Sequence, residues 1–211
     1  MGSRFFLTTI VLGLAMTGFA GPIGFEDSWA VMGYTQPDMV DFQASYSFTH
    51  KVGLGVDYGH DTMEGPERQW VIGRFNYLVS RWNGPDHQAN IYLSAGGGAG
   101  FKNEVYQPAV FGAVEADYET RSIYFSGKAS ATAARDFQSL VFYQLRAGVA
   151  PYLADFEGFH SWIVIQTQYF PNAVGYPVRV GPLMRFYYRN VLWEIGATTK
   201  STWNFNFMIH F

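Results

Sequence analysis

The sequence predicts an all-β chain: a closed antiparallel transmembrane β-barrel of about twelve strands, with ten as the alternative count. Three observations carry that expectation. Aromatic residues make up 18% of the 211 residues, while charged residues make up only 15%. Apolar and polar side chains alternate with period two through most of the chain, as they do in strands whose two faces meet different surroundings. After the first twenty residues no run reaches the ~18 consecutive apolar residues of a helical span, and no helical stripe of useful length appears.

Composition also excludes several functions. There is no Cys, which removes a disulfide scaffold, a cysteine nucleophile and a Cys-ligated zinc site. The formal charge of -3 is too small to imply nucleic acid as a partner. No cofactor is implied: Gly96, Gly97, Gly98 and Gly100 cluster, but no Lys-Ser/Thr and no helix start follow them. They read as a bend or close approach within a strand.

Residues 1–20 read as a secretory signal peptide. Arg4 supplies the positive start, Phe5 to Met16 the apolar core, and Gly18-Phe19-Ala20 the approach to cleavage. The expected mature chain, residues 21–211, is then a single barrel domain outside the cytoplasm.

Taken in order, the strand segments are 27–35, 39–49, 52–60, 68–81, 88–101, 108–119, 122–133, 137–151, 159–170, 177–189, 190–199 and 201–211. Lengths near ~10 residues suit tilted strands that cross a bilayer. The first is the weakest, because Trp29, Val31 and Gly33 are poorly patterned. If residues 24–36 form a plug instead, the count falls to ten. Segment 70–80 sets Val71, Phe75, Tyr77 and Val79 against Arg74, Asn76 and Ser80. Segment 177–189 sets Val178, Val180, Pro182, Met184, Phe186 and Tyr188 against Arg179, Leu183, Arg185 and Tyr187. The last sets Trp203, Phe205, Phe207, Ile209 and Phe211 against Asn204, Asn206, Met208 and His210. Turn residues separate the segments, including Asn83-Gly84-Pro85-Asp86, Pro171-Asn172 and Arg189-Asn190.

A soluble sandwich also alternates, but the details favour a membrane barrel. The apolar faces are aromatic near strand ends, as interfacial girdles are. The polar faces carry Gly, Ala, Ser, Asn and single charges instead of a Lys/Glu-rich cover. The chain ends on an alternating strand closed by Phe211. That ending resembles the C-terminal signature of bacterial outer-membrane β-barrel proteins. The resemblance implies that Phe207, Ile209 and Phe211 form an assembly signal read by the barrel-assembly machinery, and that outer-membrane lipid surrounds the wall.

An even strand number places both termini on the periplasmic side. Alternation assigns Asp41, Asp57, Arg74, Glu115, Asp117, Lys128, Arg146, Arg179, Arg185 and Glu194 to the lumen. A lipid-facing charge at mid-bilayer costs roughly 2–4 kcal/mol, which makes the assignment necessary for a barrel. A tight turn at Arg189-Asn190 puts Arg185 opposite Glu194, and a turn at 120–121 puts Glu115 diagonal to Lys128. Basic residues concentrate on the eighth and tenth segments, acidic ones on the sixth and near the start. Such a lumen suits a small passive channel for small, including anionic, solutes. The alternative is a non-conducting structural or interaction barrel with the same charges paired.

Two remoter readings concern chemistry. His160-Ser161 is a local pair for an outer-membrane hydrolase, yet adjacent strand residues point to opposite faces. His60, Met63 and Met39 offer imidazole and thioether donors for a soft metal ion, without a recognised spacing. No catalytic residue and no metal site is assigned.

Overall fold

Period-two alternation resolves into twelve strands in the computed structural model, which describes residues 21–63, 67–103, 105–135, 137–155, 158–199 and 202–211. The strands are β1 Ser28–Gln36, β2 Met39–Ser47, β3 Val52–Asp61, β4 Arg68–Asn83, β5 His87–Lys102, β6 Val105–Thr120, β7 Ile123–Ala134, β8 Phe137–Val149, β9 His160–Tyr169, β10 Val178–Tyr188, β11 Val191–Ala197 and β12 Trp203–His210. Each pairs with its sequence neighbours, and β12 returns to β1, so the sheet is a closed barrel. Closure leaves no unpaired edge. The last residue takes part: Trp29 and Phe211 exchange backbone hydrogen bonds of 2.7 and 3.0 Å. The predicted signal peptide lies outside the described residues.

β1 belongs to the wall and pairs on both sides, so the ten-strand alternative falls. Its weak pattern has a physical cause. Gly33 faces outward, and the Phe207 ring lies where a Cβ would stand. An aromatic from the neighbouring strand thus fills the gap that glycine leaves. The plug alternative for residues 24–36 falls with the ten-strand count, because residues 28–36 are β1. Residues 21–24, ahead of β1, turn into the barrel, and Ile23 is fully buried against Leu78 and Tyr92. Gly24 N donates to Ser47 Oγ at 3.1 Å, and Ser45 Oγ donates to Pro22 O at 3.2 Å.

The glycine cluster does not interrupt β5, which pairs with β4 throughout residues 96–100. A side chain on Gly98 would overlap the Val71 carbonyl oxygen, so glycine permits a close approach of two backbones.

Residues 21–27, Phe211 and the connections near residues 48–51, 84–86, 121–122, 150–155 and 189–190 lie at one end of the barrel, the terminal end. The other connections form the loop end. Between them, outward-facing Leu54, Val56, Val71, Ile163, Ile165 and Ile195 are about half exposed. A continuous apolar band of this kind suits hydrocarbon and not water. Aromatic clusters flank it: Trp29, Tyr46 and Phe48, with Phe159, Phe186 and Trp193, at the terminal end, and Phe101 with Tyr106 at the loop end.

Candidate functional site

The inward side chains build a polar, aromatic lumen. Its central cavity admits the centres of water molecules over about 70 Å³, above the roughly 10–15 Å³ that a cavity needs to hold water. Arg74, Glu115, Lys128, Arg146, Arg185 and Glu194 line it, together with Asp41, Tyr34 and Trp70.

On β8, β10 and β11 two arginines converge on one carboxylate. Arg185 Nε donates to Glu194 Oε1 at 2.7 Å, and Arg146 Nη1 donates to Glu194 Oε2 at 3.1 Å. Asn206 Nδ2 adds a bond to Oε2 at 2.7 Å, and Gln166 accepts from Arg146 Nε at 2.8 Å. The Arg185 guanidinium also lies 4.0 Å from the Tyr124 ring centre. The tight turn at Arg189-Asn190 sets Arg185 opposite Glu194, in the register expected from the sequence.

On β2, β3 and β4 the balance is reversed. Arg74 Nη1 donates to Asp57 Oδ2 at 2.9 Å, while Asp57 Oδ1 is buried with no hydrogen-bond partner. Asp41 Oδ1 accepts from Gln43 Nε2 at 2.8 Å. Between the two groups, Lys128 Nζ stands 3.8 Å from Glu115 Oε2 and 5.4 Å from the Tyr34 ring centre. Lys128 comes from β7 and Tyr34 from β1, half a turn apart, so the lumen is crossed at this level. Glu115 and Lys128 are direct partners and not diagonal ones. The β6–β7 turn is centred one residue later than expected, at 121–122.

Asp117 lies toward the terminal end and accepts from Asn90 Nδ2 at 2.7 Å. Alternation fails just beyond. The β4–β5 register shifts between Leu78 and Ser80, so Ser80 leaves the inward face to which the alternation assigned it. The bulge turns Arg81 inward instead, where its Nε donates to Asn90 Oδ1 at 2.7 Å. Nothing in the local sequence marks that bulge.

Arg179 sits at the loop end. Its Nη1 donates to Gln36 Oε1 at 2.9 Å and to Asp38 Oδ1 at 2.8 Å, and Gln36 in turn reaches Gln168 at 3.2 Å. A second closed pair, Arg68 with Asp61, is bidentate at 2.7 and 3.2 Å, with neither residue more than 1% exposed. Arg68 shares the parity of Arg74 and was readable from the pattern. Asp38, in a turn, was not. The β9–β10 connection then crosses the mouth. Val174 N donates to Met63 O at 3.1 Å, joining loops from opposite sides of the ring, and Asn172 Nδ2 donates to Ser139 O.

The metal donors do not share a face. Met39 faces the cavity and Met63 is buried, whereas His60 points outward and pairs with Glu67 at 3.2 Å. His160 and Ser161 stand on opposite faces of β9, opposite Tyr187 and Phe186 respectively.

No protein-family model matches the chain, and no curated protein matches it. Similar solved structures are bacterial outer-membrane barrels. One is a KdgM porin in complex with disordered oligogalacturonate, at 9% identity and TM-score 0.50, covering 87% of this chain and 98% of that one. Another is the outer membrane protein Omp33 of Acinetobacter baumannii, at 12% identity and TM-score 0.43, covering 89% and 99%. The fold is therefore that of a bacterial outer-membrane β-barrel, here in a closed twelve-stranded form.

Proposed function

We propose that the chain is exported, assembles in a bacterial outer membrane and passes small polar solutes, including those with anionic groups, through its lumen. In this reading residues 1–20 direct export, and Phe207, Ile209 and Phe211 guide assembly. The observation that carries the reading is the water-admitting cavity lined by charged and amide side chains inside a closed wall. A barrel needed only for shape gains nothing from such space, because filled interiors are better packed. Two guanidiniums on the single Glu194 carboxylate leave a positive excess that attracts anionic groups. The porin solved with oligogalacturonate supports the barrel architecture, and the solute class is argued from this chain's own lumen.

A second reading, a non-conducting barrel, is favoured by the pairing of Arg74, Arg146, Arg179 and Arg185 with carboxylates and by the covered ends. Planar-bilayer recording of the refolded mature chain decides between them. Discrete small conductance steps are expected. Silence from a correctly folded, heat-modifiable sample would leave the non-conducting barrel.

A further inference from the structure

Two charge groups of opposite excess lie inside the barrel: Asp41, Arg74, Arg146, Arg185 and Glu194 line the same cavity, and Asp57 is buried beside it. Arg146, Arg185 and Glu194 together carry one positive charge more than they cancel. In the second group Arg74 and Asp57 pair, and Asp41 is left as the carboxylate that faces the cavity. The orphan Asp57 Oδ1 sits within the negative group, on the strand next to Asp41. Register ties the two groups into one row across neighbouring strands: Arg185 faces Glu194, Glu194 faces Asn206, Asn206 faces Tyr34, and Tyr34 faces Asp41. At ~4.8 Å per strand, Asp41 and Glu194 stand roughly 14 Å apart around the wall. Asn206 and Tyr34 between them are uncharged. The nearby Lys128 and Glu115 cancel each other.

A plain anion gains at one group and is repelled at the other, and a plain cation suffers the reverse. A solute with both charges gains at both when its ammonium turns toward Asp41 and its carboxylate toward Arg146 and Arg185. Resting on the proposal that the lumen conducts, we infer that the favoured solute is a small zwitterion whose charges are several bonds apart, an ω-amino acid or short peptide. The narrow cavity excludes bulky members of that class.

The test compares isomers, so that size plays no part. The refolded mature chain is placed in neutral-lipid vesicles, and osmotic swelling is followed in γ-aminobutyrate and in its uncharged isomer γ-hydroxybutyramide. Fold is checked by heat-modifiable gel mobility. The zwitterion should enter about twofold to fivefold faster, the span of a partly screened unit charge. Asp41→Asn and Arg185→Gln, tested singly, should each bring the ratio close to one. Equal rates in the unaltered chain, or a preference that survives both substitutions, would overturn the inference while leaving the channel intact. Entry of neither isomer would remove the channel reading itself, and this inference with it.

Discussion

The two ends of the barrel are narrowed by different chemistry. At the terminal end the chain's own residues 21–24 fold inward, and an apolar side chain, Ile23, packs on Leu78 and Tyr92. At the loop end closure is polar. Arg179 ties β10 to Gln36 and Asp38, Arg68 closes on Asp61, and one backbone bond joins Val174 to Met63 across the mouth. Apolar closure is non-directional and tolerates small shifts. Polar closure depends on geometry and fails when one partner moves. The contacts at the loop end are thus the more sensitive to substitution, and the apolar contact at the terminal end the more tolerant of small shifts.

Substitutions at each end test that contrast. The largest expected effect is Asp61→Ala, which strips both bidentate bonds from a guanidinium buried to 1%. Loss of one partner of a buried pair costs about 3–5 kcal/mol, measured as a lower urea midpoint for the shift in gel mobility. Next comes Ile23→Ala, which empties the apolar plug at a cost of about 2–5 kcal/mol. It should also raise open-channel conductance, whereas a more stable barrel with unchanged current would place the barrier elsewhere. Third, Met63→Cys with Val174→Cys should trap the loop-end crossing. The chain has no other Cys, so a current that falls on oxidation and returns with reductant reports that one link. Smallest is Lys128→Met. Its partner Glu115 is 3.8 Å away and both side chains are partly exposed, so stability should change by less than about 1 kcal/mol.

Much of this architecture is legible from alternation alone. Charges cannot face lipid, so parity places Arg146, Arg185 and Glu194 inside, and a tight turn pairs the last two. What escapes the pattern depends on irregular backbone. The bulge near Val79 swaps Ser80 for Arg81 on the inner face. The β6–β7 turn moves by one residue and converts Glu115 and Lys128 from diagonal to direct partners. Asp38 lies in a turn and Gly21–Asp27 precede the first strand, so neither has a parity to read. Their places follow from tertiary contacts with Arg179 and Tyr92. The charge balance of the lumen is likewise a property of pairs, which strand-by-strand parity does not give.

The central claim is that the lumen between these two closures conducts. Single-channel recording of the refolded mature chain beside the Met63→Cys/Val174→Cys variant tests it most directly. The account predicts small steps in the unaltered chain, and in the variant a current lost on oxidation and restored by reductant. No current from either folded protein, in either redox state, would contradict it.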